Sequence, residues 1–271
     1  MIIFLFFFVW AGLSAVLTIF TGLSYWFIPV WLILSLVIVM LMVVLSLIIG
    51  LPLAKKTKVT GKFKHWYIRN MSDFVRFFLV RVRITKIVGK ENLPKDTNYV
   101  VYGNHKSNMD PLIVVSALRI PMAFAAKSSL FKYPILSGWM RSFGCININR
   151  ENDRDAIKEI ILGVKLIKEG LSIAIFPEGG IKSRETTLMI QVKPGAYKLA
   201  TKTGVPIVPI AVIGSRYIRF NNPKRKTKVK IIIGKPLYES DYKDMTTKEI
   251  GDYVFNLVNQ MILDNTTPET I

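Results

Sequence analysis

The residues best suited to chemistry sit in two short loops. The first reads Gly103-Asn104-His105-Lys106-Ser107-Asn108-Met109-Asp110-Pro111, after the apolar stretch Tyr99–Tyr102 and before a second one opened by Pro111. Histidine is the side chain that most readily moves a proton near neutral pH. A carboxylate on its other nitrogen would hold one tautomer and stabilise the imidazolium. His105 and Asp110 are five residues apart, roughly 140° around a helix axis, so they meet only if the loop folds back on itself. Such a base would take the proton of a substrate hydroxyl. There is no G-x-S-x-G nucleophile elbow, so direct attack by that hydroxyl is expected, with Ser107 as a weaker candidate nucleophile. A structural alternative stands beside this one. Asp is a good N-cap and Pro a good first helical residue, so Asp110 could simply cap the helix that Pro111 begins.

The second loop, Phe176-Pro177-Glu178-Gly179-Gly180, follows the apolar run Ser172–Phe176. Glu178 sits between a proline and two glycines, where backbone N–H groups can approach a ligand; a plain turn is the alternative. Arg150, Lys182 and Arg184 lie near expected strand ends and could clamp a phosphate, or be no more than solvated charges.

Elements must hold these loops in place. Val82–Val88, Tyr99–Tyr102, Phe143–Ile148, Ser172–Phe176, Ile207–Ile213 and Lys228–Ile233 read as strands. Between and after them, helices are expected from Pro111, over Asp155–Lys168, Pro194–Thr203 and Thr247–Leu263. Strands alternating with helices predict an α/β domain whose mixed, largely parallel sheet is flanked by helices. Upstream, Phe63, Tyr67, Met71, Phe74, Phe78 and Val82 recur at helical spacing. They predict an amphipathic helix that packs on the domain, lies on anionic lipid, or does both.

No charged side chain precedes Lys55. Residues 2–20 are almost wholly apolar and would span roughly 28 Å as a helix. After a softer stretch with Gly22 and Pro29, a second apolar run covers Val30–Leu53. A signal peptide fits poorly, for want of a basic start and a small-residue cleavage site. The expectation is a transmembrane hairpin or anchor over 1–54, a basic membrane-proximal segment over 55–84, and a catalytic domain over 85–271. Lys55, Lys56, Lys58, Lys62 and Lys64 would keep that domain in the cytoplasm.

The formal net charge of +19 is concentrated. Residues 55–90 hold eleven Lys/Arg against Asp73 alone, and residues 216–235 hold eight with no acid. With 51% apolar residues the chain is too hydrophobic for disorder. A lone Cys145 excludes an intramolecular disulfide framework, and with only His65 and His105 a Cys- or His-rich metal centre is not expected. A membrane-tethered nucleic-acid binder is the rival suggested by charge, but no nucleic-acid motif accompanies it, so no nucleic-acid partner is expected. A catalytically silent lipid-binding scaffold is a further rival.

Several blocks together resemble the glycerolipid acyltransferase family. NHKSNMD resembles its NHxSxxD block. Lys127 through Arg150, with Leu130-Phe131, Pro134, Gly138 and GCININR, resembles the second block. FPEGG, with Lys193-Pro194-Gly195-Ala196 after it, resembles the third, and VPIVPIAV the fourth. The match covers about 85–236, with Gly89 and Glu91-Asn92-Leu93-Pro94 as its lead-in. The resemblance implies that His105 is the general base and Asp110 its partner. It implies acyl transfer from acyl-CoA or acyl carrier protein to lysophosphatidic acid, giving phosphatidic acid, with no other cofactor; another lysophospholipid or a glycerol-phosphate acceptor is the alternative. The basic stretch after the apolar leader adds an anionic lipid bilayer as the expected partner. The resemblance places Asn104, Ser107, Arg150, Glu178, Gly179, Lys182, Arg184 and Lys193 in substrate binding. Two departures concern the acceptor headgroup. Asn149 stands where the family commonly has Asp, and Gly180-Ile181 replace the Thr-Arg of FPEGTRS.

Overall fold

The structure, a computed structural model, describes residues 2–22, 25–148 and 153–266. The chain divides into two compact units, residues 1–57 and 58–271.

The first unit is a pair of helices, α1 (Ile2–Thr21) and α2 (Ile28–Lys56). Both are long and apolar enough to cross a membrane. With so few polar groups, the pair is pinned at isolated points. Ser14 and Ser35 share a 2.6 Å hydrogen bond between the helices, and the Trp10 indole N–H donates to the Leu32 carbonyl at 3.0 Å. Hydrogen bonds of this kind tie helices together where apolar burial against lipid offers no preference.

The second unit is built on a sheet of seven strands among the described residues: β1 (Val82–Val88), β2 (Val100–Gly103), β3 (Met122–Lys127), β4 (Ile146–Ile148), β5 (Ser172–Ile175), β6 (Ile207–Ile213) and β7 (Thr227–Ile233). Their order is β1-β7-β6-β2-β5-β3-β4. Every neighbouring pair is parallel except β6 with β7. The sheet is therefore mixed and largely parallel, as the alternation of strands and helices predicts. The central strands β2, β5 and β6 are buried on both faces, which is why they read as unbroken apolar runs.

The helices are α3 (Lys62–Phe74), α4 (Asp110–Leu118), α5 (Pro134–Ser142), α6 (Asp153–Lys168), α7 (Lys198–Thr203), the single turns α8 (Ile218–Asn221) and α9 (Glu239–Tyr242), and α10 (Thr247–Leu263). The path from β2 to β3 crosses the sheet one way, and the paths from β4 to β5 and from β5 to β6 return the other. Right-handed crossovers then put α4 on one face and α6 and α7 on the other. Accordingly α3 packs with α4, whereas α6 packs with α7 and α10 lies on β6. Thr246 and Glu249 form a capping box at the start of α10, whose apolar stripe Ile250, Val254 and Val258 is fully buried.

Four elements differ from the expectation. The helix predicted over 63–82 is α-helical only to Phe74, widens into a π-turn over Val75–Leu79, and stops before β1. Its residues Met71 and Phe74 are buried, its Tyr67 stacks on Trp139 of α5 at 5.2 Å, and buried Lys64 donates to the Ser142 carbonyl at 2.7 Å. Phe143–Cys145 form the turn after α5 rather than the start of β4. Finally β3 and α5 have no counterpart in the sequence reading. The segment MAFAAK shows no alternation because Met122–Phe124 are buried whichever face they point to, and it is held as a strand by pairing with β5 and β4.

Candidate active site

Strands β2 and β5 are parallel neighbours in a register that pairs Tyr102 with Ile175. They end level, so the two candidate loops leave the sheet side by side at its carboxyl edge, where α/β folds place ligands. β6 ends at the same edge and approaches β2 closely. A Cβ at Gly103 would stand 2.6 Å from Ile210 Cγ1, so only glycine fits there.

The first loop does fold back. His105 Nδ1 lies 2.9 Å from Asp110 Oδ2. The same carboxylate oxygen accepts the backbone N–H groups of Lys106 (2.7 Å) and Ser107 (2.8 Å). Asp110 is the first residue of α4, yet its side chain reaches back to the preceding loop instead of capping the helix; the N-cap position is Met109. Three donors converging on one buried oxygen fix both the loop and the imidazole. A carboxylate can only accept, so Nδ1 carries the proton and Nε2 is left as the acceptor. The ring stacks on Phe176 at 4.4 Å, nearly parallel, with Phe124 stacked behind Phe176 at 6.4 Å. The side chain keeps 16% exposure while that of Asp110 has none.

The loop is braced from beneath. Asn104 is fully buried. Its amide donates to the carbonyls of Val212 (2.9 Å) and Thr187 (3.0 Å), and its oxygen accepts the Val212 N–H at 2.7 Å. Glu178 is also fully buried and faces inward. Its Oε1 accepts the His105 backbone N–H at 2.9 Å; its Oε2 accepts from Lys106 Nζ at 3.0 Å and from the Ile190 N–H at 3.3 Å. Both carboxylate oxygens are thus committed to the protein. The geometry makes Glu178 a strut between the two loops. A buried ion pair of this sort costs desolvation on both sides, and is kept where it fixes one arrangement.

Lys106 is the partner that sequence reading missed. It is 1% exposed. Only its place between two chemically suggestive neighbours could have marked it, because a lone loop lysine ordinarily points to solvent. Phe176 enters the sequence pattern only as the first residue of FPEGG, although an aromatic at a strand end beside a histidine loop is a natural stacking platform.

The remaining expected residues are placed as follows. Ser107 is buried, and its hydroxyl accepts the Met109 N–H at 3.2 Å. Gly179 turns with φ +73°, and a Cβ there would meet the Lys193 side chain at 2.9 Å, so the lysine stem lies across the glycine. Lys193 and Lys182 are exposed and Arg184 partly so. Lys182 and Arg184 make no hydrogen bond or ion pair among the described residues. Asn149 and Arg150 lie outside the described residues. The loop carrying Lys182 and Arg184 is tied down at its end, where Met189 exchanges backbone hydrogen bonds with the Asn259 side chain of α10 at 2.8 and 3.2 Å. No group of three or more metal-ligating side chains occurs among the described residues.

A largely enclosed, oriented imidazole with one open nitrogen has the arrangement that a general base requires. The Ser107 hydroxyl is engaged with the Met109 N–H rather than with the imidazole, and cationic side chains stand on the loop that follows Glu178. Comparison with known proteins agrees with that chemistry. Residues 84–213 match the family model described as Acyltransferase. The chain is 33% identical over 148 residues to a 1-acyl-sn-glycerol-3-phosphate acyltransferase of Borreliella burgdorferi, covering 55% of this chain and 58% of that protein. It is 30% identical over 178 residues to the protein of that name in Bacillus subtilis, covering 65% of this chain and 85% of the other. The match therefore spans less than two thirds of the Borreliella protein. The crystal structure of the 1-acyl-sn-glycerophosphate acyltransferase of Thermotoga maritima superposes with a TM-score of 0.61 at 25% identity, over 74% of this chain and 79% of that one.

Proposed function

The chain belongs to the acyltransferase family, and on that premise we propose that it transfers a fatty acyl group from a thioester to the free hydroxyl of 1-acyl-glycerol-3-phosphate, giving phosphatidic acid. The observation that carries this reading is the His105–Asp110 pair, with Nδ1 engaged at 2.9 Å and Nε2 left to accept a proton. Nε2 takes the proton of the acceptor hydroxyl as its oxygen attacks the thioester carbonyl. Asp110 stabilises the imidazolium that results. Collapse of the tetrahedral intermediate breaks the carbon–sulfur bond, and the imidazolium returns its proton to the leaving thiolate. Acyl-CoA or acyl carrier protein is the donor, and no metal is needed for this sequence of proton transfers.

The acceptor's phosphate calls for cations near the His105 edge. Lys182 and Arg184, uncommitted to other groups among the described residues, and Lys193, lying over Gly179, fit that role; the family resemblance adds Arg150, which lies outside the described residues. Asn104 and Glu178 act indirectly, by positioning the histidine loop. The apolar helices α1 and α2 support a membrane location, and the lysines that follow α2 support a catalytic unit on the cytoplasmic face.

The test is product analysis. Purified full-length protein is given a panel of lysolipids with acyl-CoA or acyl carrier protein donors, and products are identified by mass spectrometry. Phosphatidic acid from 1-acyl-glycerol-3-phosphate is expected to dominate. A product from another lysolipid in its place would overturn the acceptor assignment, and no acyl transfer at all would overturn the reaction.

A further inference from the structure

The two basic stretches of the sequence lie more than 120 residues apart, yet the fold brings Arg81 of the first beside Pro223 and Thr227 of the second. β1 and β7 pair in parallel, with Val82 opposite Thr227. The connection is reinforced just before the strands begin. Arg81 donates from Nη1 to the Pro223 carbonyl at 2.6 Å, and its own carbonyl accepts the Thr227 N–H at 3.0 Å. Because β7 runs antiparallel to β6, its start lies beside the end of β6. Arg81 and the cations at 219–226, which precede these two strands, therefore sit at the same sheet edge as His105. Arg216 reinforces this placement by donating to the Glu185 carbonyl, on the loop that follows Glu178.

Charge and apolar surface coincide here. Arg219, Lys224, Arg225 and Lys226 are all exposed, and no acid occurs between Arg216 and Gly234. Among them Phe220 projects with 70% exposure. On the neighbouring segment, Phe77 and Leu79 are 51% and 54% exposed, immediately before Arg81. Within the strands, Arg83 stands opposite Lys228, and Lys86 opposite Lys230. Like charges directly opposite on adjacent strands are unfavourable unless something anionic compensates them. Lysines on an edge strand also discourage strand pairing. That reason covers β1 alone, since the charges at 219–226 lie off the strands.

We propose that this end of the catalytic edge, with Phe77, Leu79 and Phe220 set among Arg81 and the 219–226 cations, is a second membrane-docking surface that seats the catalytic unit on an anionic bilayer. Basic residues would draw it to acidic headgroups, and the three apolar side chains would enter the headgroup boundary. Exposed bulky apolar groups favour a bilayer over an acidic carrier protein, which the charge alone would also attract. A surface of this kind presents the edge that carries His105 to the lipid phase, independently of which acceptor is used.

The experiment needs no turnover. Full-length protein with Cys145→Ser is reconstituted into vesicles and labelled with an environment-sensitive fluorophore at Phe220→Cys. A parallel sample is labelled at Lys202→Cys, an exposed site at the end of α7 beside the opposite sheet edge. Quenching by brominated acyl chains is compared in phosphatidylcholine vesicles with and without phosphatidylglycerol. The label at 220 is expected to be quenched strongly on anionic vesicles and the label at 202 hardly at all. Raising salt from about 0.05 to 0.5 M, or combining Arg219→Gln, Lys224→Gln, Arg225→Gln and Lys226→Gln, should cut the quenching at 220 about fivefold or more. Salt does this without a variant, so loss of folding is not confused with loss of docking. Equal quenching at both sites, no quenching at 220 on anionic vesicles, or full quenching in the neutralised variant would overturn the proposal. So would shielding of 220 that appears only when acyl carrier protein is added.

Discussion

The chain's two histidines are both held inside the catalytic unit, in opposite tautomers. His65 in α3 lies 2.6 Å from the Val59 carbonyl through Nε2, and its Nδ1 faces the Met122 N–H at 3.4 Å. A carbonyl only accepts and an N–H only donates, so Nε2 carries the proton and Nδ1 is bare. Both nitrogens are occupied by backbone, and the ring is 6% exposed. His105 has the proton on Nδ1, a carboxylate holding it, and Nε2 open. The His65 side chain is buried and that of His105 keeps 16% exposure, yet both lie against an aromatic, His65 beside Phe143 and His105 on Phe176. An aromatic wall and limited exposure therefore do not by themselves separate a structural histidine from a reactive one. What separates them is whether a nitrogen is left over after the fold has taken its hydrogen bonds.

Substitutions can break this contrast, and the largest effect belongs to His105. His105→Ala should lower kcat about 10³-fold while leaving the melting temperature nearly unchanged, as read by turnover and thermal denaturation on one preparation. Retained activity would remove His105 from the base's role. Asp110→Asn comes next. An amide can donate to Nδ1 and favour the wrong tautomer, so a loss of about 10²-fold or more in kcat is expected, with KM for the acyl donor little changed. Glu178→Gln sharpens the contrast from below. It leaves the Lys106 ammonium buried without its counter-charge and should cost about 3 kcal/mol of stability in denaturant unfolding, with activity falling as the loop loosens. Adding Lys106→Met should recover much of that stability; failure to recover would mean the ion pair is not the strut described above.

The smallest expected effect concerns His65. Burial, helped by the charge of Lys64, pushes its pKa down, against the opposing pull of the Val59 carbonyl. A depressed value in the folded state means the stabilisation is present above the ordinary histidine pKa of about 6.5 and is lost as pH falls through the lower folded value. The melting temperature should accordingly drop on acidification, and His65→Gln should flatten that drop while costing roughly 1 kcal/mol at neutral pH. Activity per folded molecule should not change. An unchanged acid profile in His65→Gln would place the sensitivity elsewhere.

Much of the fold is legible in the sequence because it rests on local pattern. The apolar span without charge forms α1 and α2, the run IVPIAVI forms β6, and Thr246 with Glu249 starts α10 where the capping signature stands. The NHKSNMD loop likewise announces His105 and Asp110 by type and spacing. β3 is illegible for the opposite reason: an alanine-rich segment becomes a strand only because β4 and β5 flank it. Glu178 is legible as important but not in its direction. Glycine and proline neighbours suggest a ligand loop, while the lysine that draws the carboxylate inward comes from 72 residues earlier.

The sequence by itself determined the two apolar helices, the alternation that makes an α/β sheet, and the residue types a proton-transferring acyltransferase site requires. These depend on the chemistry of neighbours along the chain and on periods of two and 3.6 residues. The tertiary structure alone decided which nitrogen of each histidine carries the proton, that Lys106 and Glu178 pair in the interior, and that Arg81 and the cations at 219–226 share one edge. Those outcomes depend on partners brought together by strand register, and the free energy of a charge or a proton is set by what lies within a few ångströms in space, whatever the distance along the chain.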